Sequence, residues 1–420
     1  VAGAEQTSGV TANDFSNRIV YKLQGDNGQT VSYTVHLVPY TGLPVVTITT
    51  EDEKEVSDKE NWLPGMMTID GMGRFDDFAD SLYVRGRGNG SWKFPKKPFN
   101  GKLTARSKIL GMDKHKRWCF LANYRDRTLL RNDLTLKIGQ QATGLEWTPD
   151  GEFAEVIFNG RHQGNFYICE HIRVDKNRVA IHEMHASDTE GEPLTGGYLL
   201  ELDTYYDEVN RFKSALNNWP VNLKSPDDDI CVPVQAAYIR DYFNEVERLL
   251  HDGEFEKLYA SYIDADSFAD YYLVQALAGN TEFSSIYSVY CYKKRSGKLY
   301  AGPLWDFDLS AFSKPDGTSH TGSIWYKYLF KDPAFVALLR ERYAILKPKI
   351  DAWAADFVRE RAGYLQKSVT ENWKQWQIDT KYLYNRLNGD ETMPYDDAVE
   401  RLVAMYEARS GWLEQLLAGL

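Results

Sequence analysis

The chain has 420 residues, of which 43% are hydrophobic; that is enough apolar material for a large core and excludes a generally disordered chain. Its 60 acidic residues outweigh 49 basic ones, and the formal net charge of -11 excludes a surface built for non-specific nucleic-acid binding. No stretch approaches the roughly 18 apolar residues that cross a bilayer, so no transmembrane segment is expected.

Residues 1–13 are small and polar and read as a tail behind a removed leader or an upstream domain. Residues 18–23 and 31–37 alternate around Gly25-Asp26-Asn27-Gly28, which predicts a β-hairpin with Asn27-Gly28 in the turn. Two strands alone are marginal. The hairpin is therefore expected either to belong to a truncated module over residues 1–40 or to pack on the β region that begins near residue 43. Strands are predicted at 43–48, 66–69, 81–85, 101–103 and 118–121, and a helix over 127–141 with Leu129, Leu130, Leu134 and Ile138 on one side. A second hairpin joins 153–158 to 163–170 through Asn159-Gly160, and 196–203 is a further buried strand.

Beyond about residue 233 the period changes to helical, with helices at 236–251, 267–278, 333–368 and 396–418. The helix over 267–278 is expected to be capped by Asp266 or Ser267 and ended by Gly279-Asn280. A hairpin over 288–308 interrupts the helices. Strands followed by helices, without βαβ alternation, predict an α+β fold of two lobes, β-rich over about 41–232 and helical over about 233–420. The four cysteines, Cys119, Cys169, Cys231 and Cys291, lack zinc-site spacing. Cys169 and Cys291 read as buried thiols, and one disulfide is left open.

Three motifs bear on chemistry. The first ends the 288–308 hairpin as Gly302-Pro303-Leu304-Trp305-Asp306-Phe307-Asp308. Pro303 breaks the strand ladder. Two carboxylates two residues apart point the same way, because strand side chains alternate with period two. Such a pair repels unless a cation lies between or one acid keeps its proton. Mg²⁺ takes one or two carboxylates together with substrate phosphates. The alternative is an exposed Asp-x-Asp turn, against which Leu304, Trp305, Phe307 and Leu309 argue.

The second motif is Asn280-Thr281-Glu282, directly after a helix. Helix, polar loop with an acid, then a hairpin ending in a metal-binding Asp is the order of parts in a kinase catalytic loop. The alternative is that Glu282 is a surface acid. The third is Arg85-Gly86-Arg87-Gly88-Asn89-Gly90-Ser91-Trp92, followed by Lys93, Lys96 and Lys97, within a stretch from Arg85 to Arg117 that holds eleven Lys and Arg residues. Glycines let backbone N–H groups approach a phosphate, and the cations neutralise it. No Gly-Lys-Ser/Thr closes the loop, so it is not a Walker A motif; its alternative is a glycine-rich turn on a solvated face. No Gly-x-Ser-x-Gly or His-Glu-x-x-His occurs, and His162, His171, His182 and His185 lack metalloprotease spacing.

Taken in order, these motifs resemble the spore-coat-protein-H-like (CotH) kinase family. The likeness also runs through Leu43-Pro44-Val45-Val46-Thr47-Ile48, Arg125-Asp126-Arg127-Thr128-Leu129-Leu130-Arg131-Asn132, Phe158-Asn159-Gly160 and Gly197-Tyr198-Leu199-Leu200-Glu201, and covers about residues 43–345. The resemblance implies a protein-kinase-like fold and ATP-dependent phosphorylation of protein Ser or Thr with Mg²⁺ or Mn²⁺. Carried over, Asp306 is a catalytic metal ligand with Asp308 beside it. Lys96 or Lys97 and Arg85 or Arg87 face the nucleotide phosphates, and Glu170 pairs with a lysine there. Two positions depart from the family pattern: Glu282 stands where the base is usually Asp, and Ser288 where the second metal ligand is usually Asn.

The expected partners are a nucleotide and a protein acceptor, with no nucleic acid. Residues 1–40 resemble the tail of an immunoglobulin-like module attached to such proteins on bacterial cell surfaces, which implies an extracellular or cell-surface location. The runner-up is a catalytically inactive kinase-like binding or adhesion protein, supported by Glu282 and Ser288. A hydrolase using Asp306 and Asp308 ranks lower, because adjacent acids on one strand seldom straddle a scissile bond.

Overall fold

Asn27 and Gly28 turn the chain back on itself, Gly28 with φ of 76°, and pair β1 (Ile19–Gln24) with β2 (Thr30–Val35) antiparallel from Ile19↔Val35 to Gln24↔Thr30. The computed structural model describes residues 1, 3–13, 19–35, 39–381 and 387–420. Arg18, His36 and Leu37 of the expected hairpin lie outside them. The chain forms two compact units, one of residues 1–122, 152–168 and 364–377, the other of 123–151, 169–363 and 378–420.

The first unit is built on β3 (Val45–Thr50), β4 (Leu63–Asp70), β5 (Phe78–Gly86), β6 (Phe99–Ile109), β7 (Met112–Leu121), β8 (Gly151–Phe158) and β9 (Arg161–Glu170). They close a barrel in the order β3-β4-β5-β6-β7-β9-β8, and a parallel pairing of β3 with β8 makes the seam. The two-residue period is plain in β5, where Leu82 and Val84 are buried while Ser81 and Tyr83 are exposed. Inward residues such as Val46, Ile48, Met67, Phe120, Val156 and Phe166 fill the interior. Phe99 stacks on Phe158 at 5.2 Å between ring centres. Closure removes the strand edges that would otherwise recruit other chains.

The second unit holds an antiparallel sheet of β10 (Tyr198–Leu202), β11 (Arg211–Lys213), β12 (Pro220–Ser225), β13 (Val289–Lys293) and β14 (Leu299–Ala301), in the order β11-β12-β10-β13-β14. Its principal helices are Arg131–Ala142, Pro233–Asp252, Ala265–Ala278, Pro333–Asp351 and Tyr395–Gly419. The helix Ala265–Ala278 is buried over almost its whole circumference, as its apolar composition demands. Its cap is Asp264, whose carboxylate accepts from Ser267 N–H at 2.9 Å, and not Asp266 or Ser267. Ser267 instead sends its hydroxyl back to the Asp264 carbonyl at 2.8 Å. Gly279, with φ of 64°, ends the helix as expected.

The β-rich first half and helical second half are as the sequence predicts. The two compact units interleave along the chain. Hydrogen bonds from Leu299 N–H to the Tyr262 carbonyl at 2.8 Å and from Ala301 N–H to Ser267 Oγ at 3.1 Å fasten β14 to helical residues of the second unit. The helix expected over 333–368 is two, Pro333–Asp351 and Ala354–Gln375; Pro348, which has no N–H, lies in the last turn of the first. All four cysteines are free, with Cys119, Cys169 and Cys291 buried. No helix among the described residues is long and apolar enough to cross a membrane.

Candidate active site

Four carboxylates of the second unit come together where helix Ala265–Ala278, β10 and the β13–β14 hairpin end. After Gly279, Asn280 caps the short helix Thr281–Ser284 by accepting from Glu282 N–H at 3.2 Å. Ser310 Oγ accepts from Thr281 N–H at 3.0 Å and from its hydroxyl at 2.8 Å. Glu282 therefore sits on a turn pinned on both sides. Asp203 follows the fully buried β10, and its carboxylate accepts from Tyr205 N–H at 2.7 Å and Ser288 N–H at 3.1 Å.

The hairpin supplies the rest. β14 ends at Ala301, and Asp306 has φ of 65°, so the strand period does not carry the Asp306/Asp308 pair as expected. The backbone turns through the left-handed region at Asp306, and the charge of Asp306 acts on the Asp308 carboxyl. Ser288 Oγ donates to Asp306 Oδ2 at 3.5 Å.

Burial and crowding raise the proton affinity of three of these acids, Glu282, Asp308 and Asp203. Burial, then the charges of Asp306 and Asp308, holds Glu282 well above the ordinary carboxylate range, with Arg125 opposing. Burial and the Asp306 charge push Asp308 up to about 6, again against Arg125. Burial and Glu201 push Asp203 up to about 7. Glu282 Oε2 is buried without a hydrogen-bond partner. A buried polar atom left unmatched is unfavourable and marks a place prepared for a further group.

That donor set suits a hard divalent cation in one way only. Among the described residues no three His, Cys, Asp or Glu side chains form a ready metal cage. Asp306 and Asp308 with the Ser288 hydroxyl offer an incomplete oxygen set, the kind Mg²⁺ completes with water and phosphate oxygens.

The expected phosphate-binding residues Arg85, Arg87, Lys96 and Lys97 belong to the first unit. Gly86 is required there, since a Cβ would lie 2.5 Å from the Trp92 ring and 2.6 Å from the Asp58 carbonyl. Arg85 lies over the Trp62 ring at 4.5 Å and donates to the Glu60 carbonyl at 3.3 Å. Arg87 is half-buried. Lys97 donates to the Trp92 carbonyl at 2.6 Å. Lys96 turns the other way and is 1% exposed. Its amine donates to the Ala122 carbonyl at 3.1 Å, Asn372 Oδ1 at 2.9 Å and the Asn165 carbonyl. A phosphate would have to displace one of these oxygens. Glu170, expected to pair with a lysine, accepts from Asp150 N–H at 3.1 Å and lies 3.9 Å from Arg178 Nε.

Asp203, Arg125 and Asn132 carry no site role in the sequence reading, and Asn280 enters it only as the end of the helix and the start of the Glu282 motif. Asp203 was signalled only as an acid closing an apolar strand. A family model described as CotH kinase protein matches residues 84–413. No curated protein matches the chain.

Proposed function

The chain belongs to the CotH kinase protein family, and from that premise we propose that it is an atypical protein kinase that transfers the γ-phosphoryl group of ATP to a Ser or Thr hydroxyl of a protein acceptor. The fold is read as protein-kinase-like, on a strand-built unit and a helix-rich unit that carries the acids. The observation that carries the reading is Glu282, half-buried, rich in proton affinity and with its buried Oε2 unmatched, beside the Asp306/Asp308 pair.

Asp306 and Asp308, with Ser288, would hold Mg²⁺ or Mn²⁺, which when bound neutralises negative charge on the acids and on phosphate oxygens. Glu282, relieved of that repulsion, would release its own proton to solvent and, as the carboxylate, accept the proton of the attacking hydroxyl while the hydroxyl oxygen bonds the γ-phosphorus and the bond to the departing ADP breaks. Glu is one methylene longer than Asp, and the pinned turn under it sets its reach. Arg125 favours the ionised acids. In the glycine-rich loop, Arg87 and Lys97 supply positive charge to an anion, with Arg85 beside them on Trp62. The location that goes with this activity is outside the cell or on the bacterial surface, which fractionation of the native host tests.

A thermal-shift titration with ATP and Mn²⁺ or Mg²⁺ tests the binding. A ligand bound only by the native state at about a hundred times its Kd adds about 2.7 kcal/mol of stability. The expected result is a rise in melting temperature that Asp306→Ala abolishes. Radiolabel transfer to an acceptor or to the chain itself should follow, and Glu282→Gln should lower it at least about 100-fold. No shift at millimolar nucleotide sinks the kinase reading. Binding without transfer turns it into the inactive, kinase-like binding protein.

A further inference from the structure

The inference rests on the kinase reading of the acid cluster and concerns what keeps two of its acids in register. Asp306 occupies the left-handed region, with φ of 65°, which residues other than glycine seldom enter. The peptide unit joining Asp306 to Phe307 is held at both edges. Phe307 N–H donates to Asn132 Oδ1 at 2.8 Å, and the Asp306 carbonyl accepts from Asn280 Nδ2 at 3.3 Å. Both amides are themselves oriented, Asn132 by donating to Asn123 Oδ1 at 3.1 Å and Asn280 by donating to Gln275 Oε1 at 3.2 Å. Asn132 is 2% exposed and Asn280 3%.

The remaining atom of the Asn280 amide, Oδ1, is the one that accepts from Glu282 N–H. A single buried side chain thus has its acceptor on the Glu282 turn and its donor on the Asp306 peptide. We propose that Asn280 is a positioning residue that sets the spacing between Glu282 and Asp306, with Asn132 gripping the opposite edge of the same peptide. The chemistry explains the residue type. Ser and Asp cap a helix as well as Asn does, but only an amide also carries N–H donors. A displacement of about 1 Å between reacting groups lowers a rate on the order of 100-fold.

Asn280→Ser and Asn280→Ala separate positioning from capping. Ser returns the cap oxygen without the donor; Ala returns neither. The expected result is that kcat falls at least about tenfold in both, while KM for ATP stays within about twofold. Hydrogen exchange of the Phe307 amide should quicken at least about tenfold in both, because its peptide has lost one grip. If Asn280→Ser has wild-type kcat and exchange while Asn280→Ala does not, Asn280 is a cap alone and the proposal is overturned. Should these variants fail to fold, Asn132→Ala reads the other edge; it too should quicken Phe307 exchange and lower kcat, and wild-type values overturn the proposal. If the wild type transfers no phosphoryl group, the kinase reading fails by itself. Phe307 exchange in Asn280→Ser still decides the clamp, and an unchanged rate overturns it.

Discussion

Lys96 in the first unit and the Glu282–Asp306–Asp308 cluster in the second bury charge in opposite ways. The Lys96 amine has three donors and meets three protein oxygens, with the Phe166 ring 4.4 Å away. Burial pulls its pKa down to about 7, with Glu155 opposing. In the acid cluster like charges face one another and one Glu282 oxygen has no partner. A satisfied buried charge ties chain segments together, whereas a crowded set of acids stores repulsion that an incoming cation relieves. The first is an arrangement for stability and the second an arrangement for binding.

The largest effect that tests this contrast is at Lys96. Lys96→Met strands three buried acceptors and is expected to destabilise the protein by about 3–5 kcal/mol in denaturant titration. A loss below about 1 kcal/mol would break the comparison. Asp308→Asn should act in the other direction. It relieves repulsion, so the metal-free protein should gain on the order of 1 kcal/mol while losing its response to Mn²⁺ and ATP.

The smallest effect is a pH dependence, measured as melting temperature without metal. Asp203 and Asp308 bind protons more tightly folded than unfolded, with pKa values of about 7 and about 6 against an ordinary 3.8. Between these limits the native state carries the extra proton, so their contribution to stability falls as pH rises from about 4 to about 7. Mn²⁺ competes with those protons, and its stabilising effect should grow over the same window. Asp308→Asn should flatten both trends.

The alternating strands, the Asn27-Gly28 and Asn159-Gly160 turns and the stop at Gly279 were legible because each depends on neighbours in sequence. The acids Glu282, Asp306 and Asp308 were legible as residue types in a motif order. Their geometry was not, since Asp306 is held by Asn132, which lies 175 residues before Phe307, and Ser288 by Asp203, 85 residues earlier. Lys96 looked like a phosphate ligand for the same reason: its partner Asn372 is 276 residues away and leaves no local trace. The cap of helix Ala265–Ala278 was misplaced by two or three residues because Asp264, Asp266 and Ser267 are all good capping types.

The seam of the barrel has a consequence for how the protein is made. β3 pairs in parallel with β8, Val45 opposite Glu155 and Ile48 opposite Phe158. A ribosome must therefore extend the chain past residue 158 before the free edge of β3 can be covered, and past β9, which stands between β7 and β8, before the ring can shut. Until then β3 waits with one bare edge, and a nascent chain of that length is the species most in need of a chaperone.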